Sequence, residues 1–86
     1  HATDLNRSSQ RIFSSTCRRL CEQFEGRELR SITVEDAERF EESLTAEGLA
    51  PRTISRMIGA SRDMFRAAVR MGIIEANPFQ FCGSYR

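Results

Sequence analysis

PRTISRMIGASRDMFRAAVRMGIIEANP, residues 51–78, is the stretch whose reading decides the fold. Pro51 stands where a first-turn helical proline belongs, because its missing N–H has no intrahelical partner there anyway. Gly72 follows the last periodic residue, where a left-handed cap favours glycine. Between them the spacing predicts one helix of roughly 21 residues, ~30 Å long at 1.5 Å per residue. At 100° steps, Ile54, Met57, Ile58, Met64, Phe65, Ala68 and Val69 share a broad apolar face. Arg52, Arg56, Arg66 and Arg70 fall together on the opposite face, with Arg62 at its edge and Asp63 as the one interruption. One side of this rod needs a core; the other suits something anionic.

Upstream, Thr33 with Asp36 reads as a capping box with Asp in place of Glu, and Glu35 and Glu38 suit the positive end of a helix. Val34, Ala37, Phe40 and Leu44 supply the expected inner face of this second helix, which Gly48 closes. Arg27 to Ile32 is a connector, with Leu29 and Ile32 expected in the core. The first helix is expected over Asp4 to Glu25, with Asp4, Ser8 or Ser9 as candidate caps. Its inner residues are Phe13, Cys17, Leu20 and Phe24, its neighbouring face Arg7, Arg11 and Arg18, and Gly26 its end. After Gly72, Ile73 and Ile74 are expected to fold back, and Asn77-Pro78 marks a turn and a domain edge. Phe79 and Phe81 either pack as a short last turn or hang free. No β-alternation of any length appears. The expected architecture is all-α: three main helices over residues 1–78, with 79–86 opening a linker.

The 86 residues suffice for one small domain, and 40% hydrophobic with 29% charged residues is ordinary for a folded one. A net charge of +1 hides an asymmetry. Residues 22–48 carry nine acidic groups against three arginines, while residues 49–72 carry five arginines against one aspartate. Such a bipolar domain can bind a polyanion on one side only. All 13 basic residues are arginine. Coding bias is the simpler cause of the missing lysines, yet it does not explain why the arginines share a face.

No apolar run approaches the ~20 residues of a membrane span, and no signal-peptide pattern opens the chain. Cys17, Cys21 and Cys82 make an odd count for a disulfide framework. Cys17 and Cys21 lie one helical turn apart, but without a nearby His or a second pair they read as small core or boundary residues rather than metal ligands. A reducing cytoplasm fits. The only His is His1, read as an expression remnant with the natural start upstream, and the only Tyr is Tyr85. No catalytic Ser/His/Asp or Cys/His set can be assembled, and no glycine-rich phosphate loop exists. The expectation is no enzyme activity within these residues, no cofactor and no metal.

The 51–78 stretch resembles the last long helix of the core-binding domain of tyrosine recombinases, the phage-integrase family. The residues that carry the likeness are Pro51, Thr53, Ile54, Arg56, Arg62, Phe65, Ala68, Gly72, Ile74, Asn77 and Pro78. LRSITVEDAERFEESLTAEGLAP, residues 29–51, is similar to the family's preceding helix. The likeness covers Leu29 to Pro78 well and the first 28 residues loosely. It rests on order and spacing, not on one diagnostic motif. Ala50 replaces the usual Ser or Thr cap, and Ser61 stands where a Leu would face the core. Ser61 is expected to return its hydroxyl to a carbonyl one turn back.

The resemblance implies a SAM-like fold that forms half of a clamp around double-stranded DNA. It maps the contacts to Arg7, Ser8, Ser9 and Arg11 on the first helix, and to Arg52, Thr53, Ser55, Arg56, Gly59, Arg62, Arg66 and Arg70 on the third. It implies other recombinase protomers as partners, with no membrane and no small-molecule substrate. It places strand cleavage in a separate catalytic domain, whose Arg, His and Tyr pattern matches nothing here; Tyr85 lies ahead of where that domain begins. Gly59 on the arginine stripe fits either close approach of a phosphate backbone or a mild kink. The competing function is a helical protein-interaction domain that meets a basic partner through its acidic second helix, using Glu38, Glu41 and Glu42.

Overall fold

A computed structural model describes the backbone of residues 2–80 and the side chains of residues 10–80. Three α-helices carry the fold: α1 (Ala2–Gln23), α2 (Val34–Ala46) and α3 (Pro51–Arg70), with a short 3₁₀ turn at Leu29–Ser31 and no strand among the described residues. Asp4 and Glu25 therefore miss the ends of α1, which starts and stops two residues earlier than expected. The α3 bounds follow its local signals, with Pro51 in the first turn and Gly72 at φ +79° just beyond Met71. Ala50 offers no side-chain cap.

The core is a row of aromatic rings. Phe40 stacks against Phe24 at 6.2 Å and meets Phe79 edge-on at 5.9 Å, and Phe79 contacts Phe65 at 5.1 Å. Leu20, Ile32, Ala37, Leu44, Met57, Ile58, Ala68 and Ile74 fill the space around them. Phe79 is 0% exposed, so the packed body runs one residue past the Asn77-Pro78 edge. Phe81 lies outside the described residues.

Several inward assignments are corrected. On α1 the buried row is Thr16, Leu20 and Phe24, one helical turn apart, and not Phe13 and Cys17. Thr16 can occupy this inner slot because its Oγ1 donates to the Ile12 carbonyl at 2.6 Å, which satisfies the hydroxyl out of water. Phe13 is 49% exposed although it shares the angular direction of Leu20 and Phe24; Cys17 and Cys21 are both exposed. Val34 is 52% exposed, because it opens α2 about a quarter turn round from the Ala37–Phe40–Leu44 stripe. Leu29 is 41% exposed, since Ile32 takes the inward position of the connector. Ile74 folds back into the core while Ile73 stays 44% exposed. Ser61 behaves as expected: fully buried, it donates to the Met57 carbonyl at 2.9 Å.

The capping box at the start of α2 is complete. The Thr33 N–H donates to Asp36 Oδ2 at 2.9 Å, and the Asp36 N–H donates to Thr33 Oγ1 at 3.2 Å. Asp36 is also buried and takes Arg27 Nη2 at 2.8 Å and Arg39 Nη1 at 3.1 Å. The Arg27 hydrogen bond, then the Thr33 N–H, hold its carboxyl well below the usual carboxylate range. Because the folded state holds this proton more weakly than the unfolded chain does, the associated stability is present above pH ~4 and drains away as pH falls below it. Urea midpoints between pH 7 and pH 2 are expected to fall less steeply for Asp36→Asn than for the parent chain; identical pH curves would contradict this role. Thr33→Ala should cost about 1 kcal/mol.

Candidate nucleic-acid interface

The buried residues of α3 are Met57, Ile58, Ser61, Phe65 and Ala68. At 100° per residue, Arg52, Arg56, Arg66 and Arg70 lie within about 40° of one direction on the opposite side. All four are exposed. The packing of one face thus points these guanidinium groups outward, and they run ~27 Å along the helix at 1.5 Å per residue. Arg52, Arg56 and Arg70 make no ion pair with any described residue. Arg66 pairs with Asp63 at 3.1 Å, both side chains being more than half exposed. A pair that open to water holds weakly, so it leaves Arg66 available to another anion.

The acidic groups of α2 do not neutralise this stripe. Asp36 is taken by Arg27 and Arg39, and Glu47, just past the end of α2, by Arg19 of α1. The Arg19 hydrogen bond holds the Glu47 carboxyl below its ordinary value. Glu35, Glu38 and Glu42 remain exposed.

The remaining expected contacts divide. Ser55 is exposed on the arginine side, whereas Thr53 is half-buried about a quarter turn away from it. Arg11 is exposed and lines a shallow cleft on α1 with Gln10, Ser14, Ser15 and Arg18. Arg7, Ser8 and Ser9 belong to α1, and their side chains lie outside the described residues. Arg62 is a different case. It is half-buried, and its Nε donates to the Phe79 carbonyl at 3.2 Å. Asn77 completes the clasp: its Nδ2 donates to the Arg62 carbonyl at 2.9 Å, and its Oδ1 accepts from the Phe79 N–H at 2.9 Å. Arg62 therefore fastens the last described turn to α3.

Between α1 and α3 lies a cleft of about 410 Å³ lined by Ile12 and Phe13 from one side and by Arg56, Gly59, Ala60, Arg62 and Asp63 from the other. Phe13 is the residue that the sequence pattern missed at this surface: at 100° per residue it shares the direction of Leu20 and Phe24, so helical spacing gave no signal that it would be exposed. Gly59 is not required by internal packing, since a Cβ there meets nothing within 4 Å and its φ is not in the left-handed region. Gly59→Ala is expected to stabilise the domain by about 0.5–1 kcal/mol through helix propensity. Weaker duplex binding by this more stable variant would favour close backbone approach over a mild kink; an unchanged or lower melting temperature would contradict the expectation.

Among the described residues, no three His, Cys, Asp or Glu side chains are grouped to hold a metal ion, and no helix is long and apolar enough to cross a membrane.

A small all-α domain whose third helix is greasy on one side and arginine-bearing on the other defines a helical module that presents one basic face. Residues 2–85 match the family described as Phage integrase SAM-like domain, and the chain belongs to that family. It is thereby a domain of the tyrosine recombinase class. No curated protein and no solved structure gives a significant match.

Proposed function

We propose that this chain is the DNA-binding, core-site clamp domain of a site-specific tyrosine recombinase, and that it lays the Arg52–Arg70 face of α3 along duplex DNA. The observation that carries this reading is the row of outward guanidinium groups, three of them without an ion pair to any described residue. Phosphate contacts by Arg52, Arg56, Arg66 and Arg70 supply affinity and orientation, and Arg11 and Ser55 extend the footprint. Arg is suited to this because its planar fork meets phosphate oxygens two at a time. The cleft at Gly59 and Phe13 gives the backbone of the duplex a place to come close. Strand cleavage is assigned to a separate catalytic domain reached through the segment after Phe79, and other protomers of the same recombinase are the protein partners.

The reading is tested by fluorescence anisotropy of a labelled duplex titrated with the 86-residue chain at several salt concentrations. Four phosphate contacts predict a log–log slope of about −3.6, at ~0.9 per contact. No binding at low salt, or a flat salt response, would contradict it. A second reading, docking of a basic protein on α2, is favoured by the exposure of Glu38 and Glu42. It requires that their replacement by Ala abolish partner binding while the arginine variants leave it intact.

A further inference from the structure

Five large apolar side chains stand exposed among the described residues, and three of them, Leu29, Val34 and Ile73, line a single cleft of about 580 Å³. The cleft lies between the 3₁₀ turn, the start of α2 and the chain that follows α3. A fourth, Met71, is 70% exposed and immediately precedes its lining residue Gly72. Single exposed apolar residues are ordinary on a protein surface; a grouped set around a concavity marks a contact surface.

The lips of the cleft carry opposite charges. Arg30 stands on the turn and Glu75 on the segment after α3. Arg30 has a 3.4 Å approach to Glu28 in which both side chains are more than three-quarters exposed, a contact worth little. Glu75 makes no ion pair with a described residue. A surface with exposed apolar side chains set among polar groups, a cation on one lip and an anion on the other is complementary to itself under a two-fold axis, because each residue i that meets j is matched by j meeting i.

We propose that this cleft is an interface between two copies of the chain: an isologous dimer in which the Leu29, Val34 and Ile73 patches face each other and Arg30 of each copy pairs with Glu75 of the other. A second copy satisfies both lip charges at once and covers both patches, which a partner of single charge sign does not. The association needs no nucleic acid, so its outcome is separate from that of the arginine face.

Sedimentation equilibrium of the 86-residue chain without DNA tests it. Between about 1 µM and 1 mM, the weight-average mass should climb from monomer towards dimer. Val34→Asp and Ile73→Asp, placed at exposed positions and checked for unchanged helical circular dichroism, should each weaken the dimer at least about tenfold by burying a charge without a partner. Arg30→Glu or Glu75→Arg alone should weaken it, and the two together should restore it. A chain that stays monomeric over this range, a dimer that survives both aspartates, or a charge swap without rescue would overturn the proposal.

Discussion

Phe79→Ala is expected to be the most damaging single substitution in the described chain, at about 3–5 kcal/mol for a fully buried aromatic. The ring is wedged between Phe40 and Phe65, and its backbone is held by Arg62 and Asn77. Truncation leaves a hole between the helices and loosens the last turn together. A chain of 86 residues has a net stability of roughly 4–13 kcal/mol, so the loss would leave a weak variant partly unfolded at room temperature. Urea denaturation followed by circular dichroism measures it. Phe13→Ala, at a half-exposed ring, should cost less than half as much. Arg62→Ala should cost about 1–3 kcal/mol, because it removes a charge-assisted bond to the Phe79 carbonyl. A loss below 1 kcal/mol for Phe79→Ala would show that residues 77–79 do not belong to the folded body.

The second large effect concerns binding. Replacing Arg52, Arg56 and Arg70 together by Ala should make the salt slope shallower by about 2.7, at ~0.9 per phosphate. With four contacts, raising salt from 50 to 200 mM weakens the parent chain about 150-fold; the triple variant, left with one, weakens only about 3–4-fold. Stability should barely move, since exposed substitutions of this kind stay within about 0.5 kcal/mol each. Arg62→Ala is expected to show the reverse pattern, with stability lost and the salt slope nearly unchanged. Equal slopes for the parent and triple variants would remove α3 from the interface.

What was legible in the sequence was whatever short-range chemistry dictates. Pro51 and Gly72 bound α3 through backbone rules that act within one turn, and Thr33 with Asp36 wrote the start of α2 in four residues. The arginine face could be read because a 20-residue helix repeats its 100° step often enough to separate two sides. The misreadings arose where a choice depended on distant residues. On α1 Thr16 is buried, its hydroxyl satisfied by its own helix, while Phe13 and Cys17 are exposed although their spacing points the same way as Leu20 and Phe24. Arg62 lies at the edge of the stripe, as its angle indicates, but its bond to a carbonyl 17 residues onward cannot be read from that angle. The partners of Asp36 come from Arg27, ahead of the 3₁₀ turn, and no helical spacing announces that pair.

The most direct test of the central claim is an arginine side-chain NMR titration. Nε–Hε resonances of the 86-residue chain are followed as a short duplex is added. The outward-packed guanidinium row predicts that Arg52, Arg56, Arg66 and Arg70 shift together in proportion to bound duplex, while Arg30 and Arg39 stay where they are. Unmoved signals on α3, with shifts confined to Arg30, Arg39 or the amides of α2, would contradict it.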